Sequence, residues 1–362
     1  MKYIISRTDA IGDTLLTTPM ANKIKKEQPN AQVGMIVSSR SSDIIGMVKG
    51  IDQFWVLNPK DNFFKKLKIC FQIFKEFKPD IFMFVGGSHV PSFAAFIKRI
   101  KNRGGLVSKW QTFLFLNKGK RQSRSIVAMH ESDYNFNLLE PFGFKYTLEE
   151  KEKLAPVFSI DIDEEKSAKE KFNQYLKDNG LNNEKPYIVI HPGMTGHTLN
   201  WNSRNYGRLI ARLHDLYQEN YNYIISFTPS DERYLKGMRD FLDQNMNSEL
   251  KKSILFYDGT MEGLKNYVYI LKNSSLFVGP STGTTHLANT LEINQVAIYS
   301  PIRVQSSLRW GPYLRNERVS VHVPDVVCGE NFTCAGMECP YYECMAKIEV
   351  EDIVKSCQNY LK

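Results

Sequence analysis

Two aspartates and a glycine follow the first apolar run of the chain, in the sequence DAIGD at residues 9–13. An aspartate just before an apolar helix usually accepts N–H bonds as its cap. Thr18, directly ahead of Pro19, offers a second cap and would leave Asp13 free for chemistry. A free carboxylate could act as a general base on a hydroxyl group, because an alcohol is a poor nucleophile until its proton is removed. A helix cap and a catalytic base are therefore the two interpretations of Asp13.

A turn rich in small and hydroxyl-bearing residues occupies positions 279–286, with the sequence GPSTGTTH. It follows the apolar run SLFV and precedes a predicted helix. The N–H groups at a helix start are unpaired and lie at the positive end of the helix dipole, and Gly283 lets an anion approach the main chain closely. Because serine and threonine also cap helices for structural reasons, this turn alone fits an anion site and a structural cap equally well.

A second apolar run, YIVI at residues 187–190, leads into the turn HPGMTGH at residues 191–197. In an open α/β sheet, ligands bind beyond the carboxyl ends of the strands. Two such turns in one half of the chain favour a diphosphate held between them. Their spacing matches neither the dinucleotide fingerprint nor the phosphate-binding loop of NTPases, which argues against an ordinary dehydrogenase or NTPase.

The composition is that of a soluble globular protein. Hydrophobic residues make up 42% and charged residues 24% of the chain, and a length of 362 residues allows about two domains. No apolar run approaches the roughly 18 residues of a membrane span, and the first residues lack the apolar core of a secretory signal. We expect a cytoplasmic protein.

Five of the six cysteines lie close to the end of the sequence rather than in a disulfide framework. Four of them invite a metal interpretation: Cys328, Cys334, Cys339 and Cys344. Their spacing lacks the paired C-x2-C knuckles of zinc sites. We therefore favour reduced thiols in a packed C-terminal loop over a bound metal, which stays the alternative. We expect no cofactor.

The net charge of +8 is distributed unevenly. Lysines alternate with phenylalanines between residues 60 and 78, and further lysines and arginines follow between residues 98 and 124. A solvated helix face explains one such cluster, but repeated basic elements favour an anionic macromolecule or an anionic membrane surface. The usual nucleic-acid recognition motifs are absent, so we expect no nucleic acid as a partner.

Apolar strands and amphipathic helices alternate in two series, separated by charged, periodic sequence between residues 149 and 185. Such alternation indicates crossover units on a parallel sheet. We predict an α/β fold of two Rossmann-like, doubly wound domains that face each other across a cleft. The predicted domains cover residues 1–160 and 161–345, and we expect a C-terminal helix at 346–362 to pack back on the first domain.

Several motifs resemble, in the same order, those of the lipopolysaccharide heptosyltransferase family, glycosyltransferase family 9. They span nearly the whole chain: DAIGDTLLTTP at 9–19, HPG at 191–193, Trp201, TGTTHLA at 282–288, SP at 300–301 and WGP at 310–312. His130 ahead of NLL at 137–139, and CMAKI at 344–348, are further similar points. The resemblance implies a GT-B fold and an inverting glycosyltransferase that needs no metal. It places the donor mainly in the second domain and the acceptor in the first.

The resemblance also implies roles for individual residues. Asp13 corresponds to the base that deprotonates the acceptor hydroxyl, and Arg7, Asp9 and Gly12 lie near the acceptor. The residues implied to hold the donor diphosphate are Thr195, Thr282, Gly283 and Thr284. Asp231 or Glu232 corresponds to the ribose position, and Glu262 lies near the adenine. The predicted donor site also includes Gly196, His197, Ser281, Thr285 and His286.

Two positions depart from the family pattern. Many members carry a lysine or arginine where this chain has Leu199, to neutralise the leaving diphosphate. Many carry an aspartate near the donor sugar where this chain has Ser281. Arg204, His197 or an arginine of the first domain could supply the missing positive charge. Both departures concern the donor, so they leave the identity of the sugar open.

The function expected from this resemblance is transfer of a heptose, or a similar sugar, from an ADP-sugar to a lipopolysaccharide core or related glycan. The acceptor would be an anionic glycolipid, and the protein would be peripheral to the inner membrane on its cytoplasmic face. Two alternatives stay open: a transferase using another nucleotide sugar for O-antigen or capsule, and a nucleotide-sugar-binding protein without turnover. The presence of Asp13 favours an enzyme, because the carboxylate base is the indispensable side chain.

Overall fold

The computed structural model describes residues 1–194, 196, 198–328 and 333–362. The chain divides into two compact units, Met1–Ser159 and Ile160–Lys362, which we call unit 1 and unit 2. The boundary predicted from sequence at residue 160 differs from this division by one residue. Each unit carries its own parallel sheet with flanking helices, as the predicted α/β fold requires.

Unit 1 is built on a six-stranded parallel sheet in the order β3-β2-β1-β4-β5-β6. The central strands β1 and β4 are buried almost throughout, which explains their nearly continuous apolar sequences. The strands are β1 Lys2–Arg7, β2 Gln32–Ser38, β3 Gln53–Leu57, β4 Ile81–Gly86, β5 Asn102–Val107 and β6 Lys118–Arg121. The helices are α1 Ile11–Leu15, α2 Pro19–Glu27, α3 Ser42–Ile45, α4 Phe63–Phe77, α5 Val90–Ile97, α6 Trp110–Phe115 and α7 Glu131–Phe136.

Helix α4 shows how local sequence fixes an element of this unit. Its N-cap, Asn62, accepts a hydrogen bond from the Lys65 N–H at 2.9 Å. The C-cap residue is Lys78, which has a left-handed φ of 53°. Pro79 follows and cannot continue the helix. Residues at helical spacing turn inward and pack on the sheet: Cys70, Ile73, Phe74 and Phe77.

Unit 2 repeats the same topology, with the strand order β12-β11-β10-β7-β8-β9. All its described strand pairs are parallel. The strands are β7 Tyr187–Ile190, β8 Asn222–Phe227, β9 Ile254–Asp258, β10 Leu276–Pro280, β11 Gln295–Ile298 and β12 Val319–His322. The helices are α8 Ile162–Asp178, α9 Ser203–Tyr217, α10 Glu232–Asn245, α11 Ser248–Lys251, α12 Gly263–Lys272, α13 Gly283–Thr290, α14 Ser307–Trp310 and α15 Val350–Gln358.

The last helix, α15, belongs to unit 2 and corrects the expectation that residues 346–362 pack back on the first domain. It contacts α9 and β11, and Ile353, Val354 and Cys357 join the apolar core of unit 2. The Trp201 Nε1–H donates to the carbonyl of Ile348 at 2.8 Å, which holds the chain just before the helix. The apolar side of α15 is thus buried within unit 2.

The order 3-2-1-4-5-6 creates one topological switch point in each sheet, where the chain changes direction along the sheet. In unit 1 this point lies between β1 and β4, and in unit 2 between β7 and β10. Loops diverge there at the carboxyl ends of the strands and leave a crevice for ligands. Among the described helices, none has both the length and the apolar character that a bilayer span requires.

Candidate functional site

The switch point of unit 1 brings the loop after β1 against the loop after β4. The Thr8 hydroxyl accepts a hydrogen bond from the Ser88 N–H at 2.7 Å. Gly87 has a φ of +84°, and a Cβ on it would collide with Thr8. A Cβ on Gly86 would lie 2.7 Å from a carboxylate oxygen of Asp9. Only glycines at these two positions allow the two loops to come this close.

Arg7, the last residue of β1, is buried at the centre of a cluster of carboxylates. Its Nε lies 2.9 Å from Asp9 Oδ2, and its Nη2 pairs with Asp13. Its Nη1 lies 3.4 Å from Glu131 Oε1. Burial alone would lower the pKa of Arg7, but the carboxylates of Asp13, Glu131 and Asp9 raise it above its usual range. Arg7 therefore stays charged and fixes the direction of the Asp13 side chain.

A second arginine and helix α7 support this cluster from behind. Arg124 pairs with Glu131, whose side chain is almost fully buried. Asn135, one turn further along α7, donates to the carbonyl of Leu16 at 3.1 Å and to the hydroxyl of Thr17 at 3.3 Å. Helix α7 therefore braces the segment that carries Asp13. Sequence analysis did not identify Glu131, Arg124 or Asn135, because more than 100 residues separate them from Asp13.

Asp13 does not cap a helix. It lies inside α1, whose N-cap residue is Ala10 and makes no side-chain capping bond. Thr18 precedes α2 but is not a side-chain cap either, since its hydroxyl donates to the carbonyl of Leu15 at 2.9 Å. The capping role expected for Thr18 is therefore wrong, although Pro19 does begin the second helix. Of the two interpretations of Asp13, the helix cap is excluded.

The residues predicted near the acceptor occupy different positions. Arg7 is buried and engaged with carboxylates, whereas the Asp9 side chain is one-third exposed. Burial raises the pKa of Asp9, and the charge of Arg7 opposes that shift. Gly12 is buried within α1. Asp9 and the one-fifth-exposed carboxylate of Asp13 are thus the members of this set that solvent reaches.

The switch point of unit 2 carries a histidine where that of unit 1 carries an arginine. His191 follows β7 and lies 3.1 Å from the Ser226 hydroxyl, which in turn lies 2.9 Å from the Tyr267 hydroxyl. Burial lowers the pKa of His191, although Asp231 opposes that shift. A Cβ on Gly193 would collide with the Asp231 carboxylate. This histidine therefore holds the loop in its neutral form.

The turn after β10 leads into α13 and exposes part of its hydroxyl set. Thr282 is the extended N-cap residue, and its hydroxyl makes no capping bond to the helix. Thr282, Gly283 and Thr284 are half-buried, whereas Ser281 is buried against the Tyr299 side chain. The first turn of α13 thus offers hydroxyls and N–H groups at the positive end of an eight-residue helix.

Two predicted members of this turn face inward. The Thr285 hydroxyl donates to the carbonyl of Pro280, so it fastens the turn to the end of β10 and is not directed at a ligand. His286 is buried in the same turn of helix. Thr285 therefore supports the turn, and both residues are more deeply buried than Thr282 and Thr284.

The loop after β7 is described only in part. Thr195 and His197, both predicted to bind the donor, lie outside the described residues. Gly196 has a φ of +79°, and a Cβ on it would collide with the guanidinium of Arg233. Arg233 is exposed at the start of α10 and lies over the Tyr234 ring, 4.8 Å from its centroid. The structure therefore brings to this loop a cation that sequence analysis missed.

Leu199 cannot neutralise a ligand and packs against the apolar core of unit 2. Arg204, one candidate replacement for its charge, donates to Gln244 at 3.0 Å on the surface of α9 and α10. Because that bond directs it to a neighbouring helix, Arg204 does not reach the loop as Arg233 does. Trp201 of the same segment is fully buried.

The acidic residues predicted at the nucleoside occupy two settings. Asp231 is buried and accepts hydrogen bonds from the Thr228 N–H and hydroxyl, both at 2.8 Å, which closes the turn after β8. Glu232 is exposed and lies 4.0 Å from Arg239. Glu262 is the exposed N-cap residue of α12 and makes no side-chain capping bond. Only Glu232 and Glu262 are open to solvent.

Four cysteines of unit 2 line one cavity of about 430 Å³: Cys328, Cys334, Cys339 and Cys344. All are free thiols. Burial and the neighbouring sulfurs raise the pKa of Cys328 and Cys344. Within the described ranges, no group of three or more histidine, cysteine, aspartate or glutamate side chains is arranged to hold a metal ion.

Comparison with known proteins gives both a family and a relative. The family model for glycosyltransferase family 9 (heptosyltransferase) matches residues 92–335. A Haemophilus influenzae protein provisionally named a glycosyltransferase is 26% identical over 313 residues. The match covers 86% of each chain. The family match includes the switch point of unit 2 and helix α7.

Several solved structures share the fold. A glycosyltransferase family 9 protein of Veillonella parvula is 16% identical and matches 99% of this chain and 96% of its own, with a TM-score of 0.77. The E. coli ADP-heptose lipopolysaccharide heptosyltransferase II is 15% identical over 99% of this chain and 98% of its own, with a TM-score of 0.76. An E. coli heptosyltransferase with ADP is 14% identical over the full length of both, with a TM-score of 0.64.

Proposed function

The chain belongs to glycosyltransferase family 9, the heptosyltransferase family, and we propose that it transfers a heptose or a similar sugar from an ADP-sugar to a lipopolysaccharide core or related glycan. The protein is a glycosyltransferase of the GT-B fold. One observation carries the finer proposal: Asp13, at the carboxyl edge of the unit 1 sheet, caps no helix and is held by the buried Arg7.

In this mechanism Asp13 is the general base. Its carboxylate takes the proton of the acceptor hydroxyl, and the hydroxyl oxygen attacks the anomeric carbon of the donor. The bond from that carbon to the diphosphate breaks, the nucleoside diphosphate leaves, and the anomeric configuration inverts. Arg7 keeps the Asp13 carboxylate oriented, while Glu131 and Arg124 keep Arg7 in place. Such proton transfer typically contributes about 10²–10⁴-fold to the rate.

The donor diphosphate is assigned to unit 2. The Thr282 and Thr284 hydroxyls and the first N–H groups of α13 would donate to its oxygens, and Gly283 would let those oxygens reach the backbone. Thr195 is assigned to the same diphosphate from the family pattern, and Gly196 and His197 are assigned to the donor site. Glu232 and Glu262 are assigned to the nucleoside, because they lie at the solvent-exposed starts of α10 and α12.

We assign to Arg233 the positive charge that Leu199 does not provide. Its guanidinium lies against Gly196, in the loop predicted to hold the diphosphate. A guanidinium suits this task because it stays charged and donates to two phosphate oxygens at once. This assignment replaces Arg204, which bonds to Gln244.

The acceptor is proposed to be an anionic glycolipid on the inner membrane face. The charge of unit 1 supports it: residues 60–121 carry 14 lysines and arginines against three acidic residues. A positively charged surface attracts an anionic headgroup and anionic lipid around it.

The test is product formation with defined donors and acceptors. The purified protein is incubated with ADP-heptose and a lipopolysaccharide core lacking its terminal heptoses, and mass spectrometry checks for a mass increase of one sugar. UDP-sugars and other ADP-sugars form the comparison panel. A product with only another nucleotide sugar would redirect the proposal to O-antigen or capsule synthesis. Tight donor binding without any product would favour a binding protein without turnover.

A further inference from the structure

Unit 1 exposes large apolar side chains on three consecutive helices, α4, α5 and α6. The most exposed are Phe64 at 77%, Phe113 at 73% and Trp110 at 68%. Leu114, Ile97 and Phe96 are exposed as well. Scattered single apolar residues are normal on protein surfaces, but a contiguous group of this size marks an interaction site.

Ring contacts show that this group is contiguous. Phe63 meets Phe64 with centroids 5.5 Å apart and meets Phe93 of α5 at 5.7 Å. Phe93 meets Phe115 of α6 at 5.2 Å, and Phe115 meets Phe96 at 5.6 Å. These contacting rings therefore link α4 through α5 to α6, and the apolar surface of the three helices comprises them together with the exposed Trp110, Phe113 and Leu114 of α6. We call it the aromatic face.

Helix α6 presents its apolar residues outward. Trp110, Phe113 and Leu114 have the spacing i, i+3, i+4 and share one side of the helix. All three are exposed, whereas the polar Thr112 is fully buried and donates to the Lys109 carbonyl at 2.8 Å. This arrangement reverses the usual one for a surface helix, in which apolar residues face the core. Burial within unit 1 does not account for it.

Cationic side chains border the aromatic face. The Lys98 ammonium lies 4.8 Å from the centroid of the Phe71 ring, and the Arg103 guanidinium lies 5.6 Å from that of Phe96. Lys65, Lys68 and Lys109 are exposed on α4 and just before α6. The stretch that contains these helices, residues 60–121, has an excess of 11 positive charges, more than the net +8 of the whole chain. The rest of the chain is thus slightly acidic.

We propose that the aromatic face inserts into the interfacial region of an anionic lipid bilayer, with the bordering lysines and arginines on the lipid headgroups. Apolar rings at the centre and cations at the rim are what such an interface selects, since rings enter the acyl boundary and cations stay at the phosphates. The inference rests on the proposed function and deepens it by naming the membrane-contacting residues, and the vesicle-binding experiments need neither donor nor acceptor.

The exposed rings distinguish a bilayer from a soluble polyanion. A polyanion is held by charge and would not require a solvent-exposed tryptophan and two phenylalanines beside the cations. Insertion into a bilayer rewards both features, because each buried apolar group and each lysine near the surface adds to the affinity. Binding to a polyanion without binding to vesicles is therefore one of the results that would overturn the proposal.

The first experiment measures co-sedimentation of the full chain with vesicles of phosphatidylcholine containing phosphatidylglycerol, against vesicles of phosphatidylcholine alone. We expect binding to the anionic vesicles, weakened by salt. Replacing Phe113 and Leu114 by serine should weaken binding by about tenfold or more. Neutralising Lys68 or Lys98 with glutamine should cost about fivefold each. Matched controls outside the face, Leu148→Ser and Lys171→Gln, should leave binding unchanged.

The second experiment reports insertion directly. Trp110 is exposed, whereas Trp201 is buried and Trp55 and Trp310 are partly buried. Adding anionic vesicles should shift the tryptophan emission to the blue, and lipids brominated near the headgroup should quench it. Trp110→Phe should keep vesicle binding and lose both signals. Vesicle binding that is equal in all face variants, or emission that does not change, would overturn the proposal.

Activity separates this inference from the proposed function. Variants of the aromatic face should keep the wild-type rate on an acceptor stripped of its acyl chains and lose rate on the same acceptor embedded in vesicles. Vesicle binding by the wild-type protein without any transferase activity would support the membrane-binding role of the aromatic face and refute the proposed reaction. Equal loss on both acceptors would show that the face acts in the reaction rather than in docking.

Discussion

The two switch points share one topology and differ in chemistry. In unit 1 the segment after β1 and helix α7 surround a buried arginine with three carboxylates, those of Asp9, Asp13 and Glu131. In unit 2 the loops after β7 and β10 carry glycines, hydroxyls and a neutral histidine. The same strand order therefore creates two crevices, and side chains decide what each can do. A cluster of carboxylates can hold a base, whereas a donor-rich turn at a helix start can hold an anion.

This difference suggests that the two units can be impaired independently. A change in the charged cluster of unit 1 should affect the rate of the reaction, and a change in the turn of unit 2 should affect donor affinity. An arrangement in which one unit did both would mix the two effects. Separate measurements of turnover rate and donor affinity distinguish the two effects.

The largest effect is expected from Asp13→Asn. The amide cannot accept the acceptor proton, so the turnover rate should fall by about 10²–10⁴-fold, while donor affinity stays within a few fold. Steady-state kinetics and calorimetry with the nucleoside diphosphate measure the two quantities. Asp80→Asn, at an exposed aspartate just before β4 in the same unit, is the matched control. A variant as active as the parent would remove Asp13 from the mechanism.

Gly283→Val should have the next largest effect, on affinity alone. A branched side chain at the first residue of α13 would keep phosphate oxygens away from the backbone N–H groups. Two hydrogen bonds to a charged group would be lost, which corresponds to about 3 kcal/mol or more. Calorimetry measures it, and circular dichroism checks the fold. Undiminished affinity would contradict the assignment of the diphosphate to this turn.

Thr282→Ala and Thr284→Ala should each weaken diphosphate binding by about 1–3 kcal/mol, because each loses one hydrogen bond to a charged group. The main chain need not move in either variant. Thr282→Ser keeps the hydroxyl and serves as the control. Thr285→Ala tests the structural role, since its hydroxyl bonds to Pro280. It should lower thermal stability more than affinity, and the reverse result would place Thr285 among the ligands.

Arg233→Gln should cost about 1 kcal/mol of diphosphate affinity, because the guanidinium is exposed and water screens its charge. The rate should fall as well if the charge stabilises the leaving diphosphate. Arg208→Gln, an exposed arginine on the neighbouring helix α9, is the control. Equal diphosphate affinity in the two variants would show that Arg233 does not supply the missing charge.

The smallest effect concerns stability and pH. The pKa of His191 is lowered by burial, so the folded chain keeps it neutral below the pH at which the unfolded chain protonates it. The unfolded state then binds more protons, and the free energy of unfolding should fall as the pH drops below about 6.5. His191→Gln should show a flatter dependence than the parent in denaturation between pH 5 and 8. Parallel curves would show that His191 does not titrate there.

Much of the fold could be predicted from the sequence, because strands buried on both faces of a parallel sheet have continuously apolar sequences. The runs at β4 and β7 are continuously apolar, and α4 has its cap, its apolar stripe and its proline stop in sequence. Elements whose sequences lack the usual hydrophobic pattern were not predicted. Strand β6 has the sequence KGKR, and α6 carries its apolar residues outward. Their positions depend on neighbours rather than on local pattern.

The candidate site divides in the same way. The two turns of unit 2 and the carboxylates of unit 1 were found from residue types that lie close together in sequence. Arg233 was missed because nothing local links it to Gly196, and Glu131 because 124 residues separate it from Arg7. The capping role of Thr18 was wrong because a short α1 turns its hydroxyl back to Leu15.

The sequence alone determined that this protein has two parallel sheets with glycine- and hydroxyl-bearing turns at their strand ends, because hydrophobic periodicity and turn residues are local properties. The tertiary structure decided which carboxylate does not cap a helix, which arginine is buried and charged, and which hydroxyls donate hydrogen bonds to backbone carbonyls. It also decided that the apolar residues of α6 face outward. These properties depend on contacts between residues distant in sequence, and no local pattern encodes them.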